Sequence, residues 1–127
     1  MKILVVHRQK ELTDMVKRVF HNREPYVRYA ESGLDGLLIA RLEEFDIIIC
    51  GTDLPVITGF EVIRSLRNSS INRNTTVIFM ADEVNATALY LSAALKASLT
   101  SFTSESIEKL GSFMDVNLAA RPSFNLN

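Results

Sequence analysis

Four short clusters along this chain hold the residues best placed to do chemistry: His7-Arg8, Gly51-Thr52-Asp53, Ala81-Asp82 and Thr103-Ser104. Each lies at the end of a run rich in apolar residues. Arg8 and Asp53 carry opposite charges, and a guanidinium reaching that carboxylate would occupy the space between the clusters. An exposed pair of this kind contributes ~0–1 kcal/mol, so it would fix a geometry rather than hold the fold. His7 beside Arg8 suits a phosphate- or pH-sensing site, because histidine titrates near neutrality; the plainer reading is a hydrogen-bonded residue at a rim. The hydroxyls of Thr52, Thr58, Thr103, Ser104 and Ser106 suit an anion near a helix N-terminus. Their plainer use is capping and loop hydrogen bonding, with Ser104 placed to cap a helix that starts at Glu105. Cys50 is the single cysteine, which excludes an intrachain disulfide and a multi-cysteine metal site. At the end of an apolar run it reads as an inert core thiol.

The elements that must position these clusters follow from the apolar pattern. Ile3 to Val6 is a continuous apolar run, as a strand buried on both faces requires. Leu12, Met15, Val16, Val19 and Phe20 recur at spacings of three and four, the mark of an amphipathic helix. Pro25 breaks that pattern, and Tyr26 to Ala30 reads as a second strand. Ser32-Gly33 opens a helix carrying Leu34, Leu37, Leu38 and Leu42. Ile47 to Cys50 is the most apolar strand, followed by a loop from Gly51 to Gly59 around Pro55. A helix with Phe60, Ile63 and Leu66 comes next, then a polar connection from Asn68 to Asn74. Val77 to Met80 predicts a fourth strand, Val84 to Leu95 a helix, and Leu99 to Phe102 a weaker fifth strand. Ile107, Leu110, Phe113 and Met114 predict the last helix.

Five strands alternating with five helices predict an α/β fold with a parallel sheet covered on both faces. Folds of this class place functional groups at the carboxyl ends of the strands, which is where the four clusters fall. The expected organisation is one domain over residues 1–118, with 119–127 a tail or the start of a linker. An apolar share of 47 % and a net charge of −1 argue against disorder and against a basic nucleic-acid-binding surface. No apolar run approaches the length of a membrane span or a signal-peptide core. The expectation is a cytoplasmic domain with no nucleic acid and no membrane among its partners.

The order of elements, together with Asp46-Ile-Ile-Ile-Cys-Gly51-Thr-Asp-Leu-Pro55-Val-Ile-Thr-Gly59-Phe60, resembles the response-regulator receiver (CheY-like) family. Asp46, Pro55, Gly59 and Phe60 match the family pattern around the third strand, and the resemblance spans roughly residues 2–116. It implies a flavodoxin-like doubly wound sheet of order 2-1-3-4-5. It also implies aspartyl phosphorylation: an acidic pair holding Mg²⁺, an aspartate nucleophile, then a hydroxyl and a lysine that stabilise phosphoryl oxygens. In this register the acidic pair falls on His7 and Arg8, the nucleophile on Gly51 and the hydroxyl on Ala81. The lysine position falls on Thr103 or Ser104, depending on alignment. All of these positions have changed, while the framework matches.

The expectation is therefore a degenerate pseudo-receiver that is not an enzyme, binds no cofactor or metal, and signals through a protein partner or a second copy. The family's usual surface of fourth helix, fifth strand and fifth helix would serve, with Tyr90, Leu91 and Phe102 as candidate contacts. Two alternatives stay open. Asp53 could serve as a relocated phosphoacceptor, or the hydroxyl-lined strand ends could bind a small ligand or anion.

Overall fold

In the computed structural model, residues 1–103 and 105–110 are described. The chain alternates as expected: β1 (Lys2–Val6), α1 (Glu11–Val19), β2 (Tyr26–Ala30), α2 (Gly33–Leu42), β3 (Ile47–Gly51), α3 (Gly59–Asn68), β4 (Thr76–Ala81), α4 (Ala86–Ala94) and β5 (Ser98–Ser101). Residues 105–110 are helical and are termed α5. All strand pairings are parallel, in the order β2-β1-β3-β4-β5. Phe113, Met114, Ser104 and the expected boundary at 118 lie outside the described residues.

Period-two alternation along the central strands sends residues to both faces, and each face has its own core. Ile3, Val5, Ile47, Ile49, Ile78 and Met80 pack with Leu12, Val16 and Phe20 of the α1 region and with Ile107 and Leu110. Leu4, Val6, Ile48, Cys50, Val77 and Phe79 pack with Ala40 of α2 and with Val62, Ile63 and Leu66 of α3. Two buried faces explain why these strands read as unbroken apolar runs. Asp46 joins the sheet at its base: it accepts the Lys2 N–H at 2.7 Å and returns its own N–H to the Lys2 carbonyl at 2.8 Å.

Several boundaries differ from the sequence reading. The fourth helix starts at Ala86 rather than Val84, because Asn85 is its N-cap and accepts the Ala88 N–H. The fifth strand runs Ser98–Ser101, one residue earlier than expected, and Phe102 lies beyond its last pairing. In α2 the fully buried positions are the small residues Gly33, Gly36 and Ala40, with Leu37 and Ile39 partly buried against the core, whereas Leu34, Leu38 and Leu42 face outward. A Cβ on Gly36 would come within 2.7 Å of both Val6 methyl groups, so this helix sits too close to β1 for a larger residue.

The loop from β3 to α3 is held at both ends. Thr58 and Glu61 form a reciprocal capping box that starts α3. Between them and Asp53, Val56 adopts φ = 72°, and its neighbours close a three-residue turn through Ile57 N–H to Pro55 C=O at 2.9 Å. A β-branched residue is strained in that region, and Val56 is 90 % exposed, so no packing compensates. Val56→Gly is expected to stabilise the domain by about 0.5–1 kcal/mol, strain relief exceeding the entropy added to the unfolded chain. Urea denaturation checks this, and a destabilised variant would refute it.

Candidate functional site

The carboxyl ends of β1, β3 and β4 open into a cleft of about 300 Å³. His7, Arg8, Gln9, Gly51, Thr52, Asp53, Met80 and Asp82 line it. Three of the four clusters singled out in the sequence thus contribute to one site, Ala81-Asp82 through its aspartate only. Of the fourth, Thr103 does not line it, and Ser104 lies outside the described residues. Thr103 Oγ1 accepts the Ser106 N–H at 3.0 Å and donates to Ser106 Oγ, so Thr103 is the residue that caps α5. Ser106 also meets Ser101 Oγ at 3.0 Å. Those hydroxyls serve the helix start, Thr58 serves its capping box, and among the described residues of the hydroxyl set only Thr52 lines the cleft.

His7 forms the wall facing Gly51. Its backbone extends the β1–β2 ladder through N–H to the Ala30 carbonyl, and its own carbonyl accepts the Tyr29 hydroxyl at 2.7 Å. The imidazole stacks on Phe102, ring centroids 4.9 Å apart and planes 27° from parallel. Nδ1 accepts the Gln9 N–H at 3.0 Å, so the proton of the neutral ring is assigned to Nε2. A Cβ placed on Gly51 would lie 3.0 Å from His7 Cδ2 and 3.6 Å from Nε2. The imidazole therefore stands directly against the space into which a side chain at position 51 would extend. Histidine and glycine are complementary here in volume.

Arg8 and Asp53 meet across the mouth of the cleft, Nη1 donating to Oδ2 at 2.9 Å. Both side chains are largely exposed, at 60 % and 76 %, so the pair is screened and contributes ~0–1 kcal/mol. Its effect is to place a guanidinium over the site. Behind it, burial pushes the Cys50 thiol up to about 12, which agrees with an inert core residue.

Phe102 requires a correction. The sequence reading put it on an outward partner face, yet it turns in against the α1-side core and against His7. Its N–H still bonds the Ala81 carbonyl at the end of β4 at 3.1 Å, and its ring packs back over the sheet end, as an apolar ring will when a buried surface is within reach. Leu91 is half-buried, and Tyr90 is 73 % exposed with Leu89 beside it. Neither the stack nor the Gln9 contact was visible in the sequence; an aromatic closing the expected fifth strand was the available signal.

A family model for the response regulator receiver domain matches residues 3–109. The chain belongs to that family. Among curated relatives, the transcriptional regulatory protein CusR of Escherichia coli K12 is 29 % identical over 70 residues, 55 % of this chain and 31 % of that protein. The cell cycle response regulator CtrA of Brucella ovis is 25 % identical over 71 residues, 56 % and 31 % of the two chains. The matched stretch is thus about a third of each relative's length. Among solved structures, Vibrio cholerae chemotaxis protein CheY4 superposes with a TM-score of 0.75 at 25 % identity, covering 91 % of this chain and 97 % of that one. A CheY-like receiver domain protein from Methanospirillum hungatei reaches a TM-score of 0.77 at 17 % identity, covering 94 % and 98 %, which speaks to fold alone. The receiver fold expected from the element order is the one this chain has.

The buried imidazole of this receiver domain should titrate abnormally. Burial lowers the His7 pKa below 6.5 and the Arg8 charge lowers it further, while Asp82 opposes both. The unfolded chain binds its proton near pH 6.5, where the folded chain still resists it. Stability should therefore fall as pH drops from about 7 through 6.5 to the lowered folded value, and level off below it. His7→Phe keeps a ring against Phe102 and should lose that component of the pH dependence. Parallel acid-limb denaturation curves of the two proteins would refute it.

Proposed function

We propose that this domain is a pseudo-receiver: it acts in two-component signalling by binding protein partners in a standing conformation, without aspartyl phosphorylation. The observation that carries this reading is the His7–Gly51 contact. The family's attacking carboxylate belongs on a side chain at the end of β3; here that residue is glycine and an imidazole abuts the space. Phosphoryl transfer to an aspartate also needs its negative charge neutralised by a bound cation. Mg²⁺ takes oxygen ligands, and these residues do not fit it. Arg8 brings a guanidinium to the Asp53 oxygen, and His7 Nδ1 is engaged by Gln9. Among the described residues, no three His, Cys, Asp or Glu side chains group closely enough to hold a metal ion.

Without a ligand that contacts two conformations differently, no equilibrium is shifted. The Arg8–Asp53 pair and the His7–Phe102 stack instead favour a single arrangement of the strand ends. The partner surface we favour is α4, where Leu89 and Tyr90 stand exposed; a kinase, a regulator or a second copy of the chain could meet it. Among the described residues, no helix is long and apolar enough to cross a membrane.

Incubation with acetyl phosphate and Mg²⁺, followed by intact mass measurement, tests the reading. The expected result is no phosphoryl adduct, and beryllofluoride should leave the amide spectrum unchanged. Asp53 is accessible enough for the second reading, a relocated phosphoacceptor. An adduct that disappears in Asp53→Asn would establish that reading and overturn the first.

A further inference from the structure

At the other end of the sheet, below the starts of β4 and β5, lies a cleft of about 350 Å³ that the receiver chemistry does not use. Arg67, Arg73 and Lys96 line it together with Asn74, Thr76 and Ser98, and no carboxylate does. The neighbouring cleft differs. It shares Arg73, but there Lys2 and Arg73 are balanced by Glu44 and Asp46.

Arg67 is fixed in place. Nε donates to the Leu95 carbonyl at 2.9 Å, Nη1 to those of Arg73 and Thr75 at 3.1 and 2.6 Å, and Nη2 to that of Lys96 at 3.2 Å. Four of its five donors are thus committed to carbonyls. Among the described residues it has no acidic partner, and burial lowers its pKa. The carbonyls at the end of α4 supply roughly half a negative charge, against three full cations. A positive excess remains.

Lys96 adds a second observation. It follows α4 with φ = 57°, in the left-handed cap position where glycine is the usual residue. Its ammonium has no protein partner among the described residues. Arg73 makes one long bond, Nη1 to the Ser70 carbonyl at 3.3 Å, which leaves most of its fork unused. Two cations with uncommitted donors therefore flank a fixed one at the edge of a polar cleft of small-molecule size.

We propose that this cleft binds a small, multiply charged anion of the phosphate-ester or diphosphate class, held by Arg73 and Lys96 over the fixed charge of Arg67. A guanidinium fork and a lysine point charge are the donors that phosphate oxygens match best. Asn74, Thr76 and Ser98 supply neutral donors for the remaining oxygens. The site is independent of the His7–Gly51 cleft, and it stands or falls separately from the pseudo-receiver reading.

Titration of the chain with inorganic pyrophosphate at physiological salt, by calorimetry and amide shifts, tests it. Saturable binding is expected, with shifts centred on residues 73–77 and 94–98. Arg73→Gln and Lys96→Gly should each weaken it about tenfold. Glycine suits the left-handed backbone at 96, so that variant should melt no lower than the parent, and its lost affinity cannot come from unfolding. Non-saturable binding, shifts centred on His7 and Gly51, or parental affinity in Lys96→Gly would overturn the proposal.

Discussion

Asn72→Ala is expected to cost the domain about 3–5 kcal/mol, a large part of the stability of a chain this size. The side chain is 1 % exposed and uses every hydrogen-bonding position it has. Nδ2 donates to the carbonyls of Ala40 and Glu43 at 2.6 and 2.8 Å. Oδ1 accepts the Phe45 N–H and the Thr75 hydroxyl, both at 2.9 Å. One amide thus ties the end of α2, the link into β3 and the segment before β4. Alanine would strand the Phe45 N–H and two carbonyls away from water, and each such loss counts for about 1–3 kcal/mol. Asn72→Asp should fare no better, because a carboxylate would face those two carbonyl oxygens with nothing to donate. Equilibrium urea denaturation of the three proteins decides the matter, and a loss below about 1 kcal/mol in Asn72→Ala would refute the account.

Nothing in the sequence marked Asn72. It stands in a polar stretch, Asn68 to Asn74, that reads as a connection, and burial of one asparagine among several is a tertiary event without periodicity. Arg67 escaped notice for the same reason: its acceptors come from two separate loops. The strands were legible because burial on both faces makes unbroken apolar runs. The Arg8–Asp53 pair was legible because opposite charges follow adjacent parallel strands, β1 and β3. Phe102 was misplaced because its orientation depends on the His7 ring, which follows a distant strand in the order. In α2 the leucines drew the eye; Leu37 does pack against the core, but the close approach to Val6 leaves no room for a side chain at Gly36. Local pattern reveals which elements form; it does not reveal which residue a tight contact selects.

Gly59→Ala should lose about 3 kcal/mol, although helix propensity alone predicts a gain of about 1 kcal/mol at a first helical residue. The glycine is not needed for its backbone freedom, since no glycine in the described residues has a positive φ. Contact is the reason. A Cβ on Gly59 would lie 2.0 Å from the Gly51 carbonyl oxygen, 3.0 Å from the carbonyl carbon and 3.1 Å from Cys50 Sγ. Both sides of that contact resist movement. β3 is hydrogen-bonded to β1 and β4, while α3 is held by its capping box and by the Gly59 N–H to the Thr52 carbonyl at 3.2 Å. The strain must then be taken up at the clashing carbonyl itself, in the Gly51–Thr52 backbone. That segment faces His7, so the His7 ring resonances should shift along with the loss of stability, while those of exposed His21 stay put. A Gly59→Ala variant as stable as the parent would mean that α3 can slide away from β3. The cleft would then be an adjustable opening rather than the rigid, imidazole-walled site on which the pseudo-receiver reading depends.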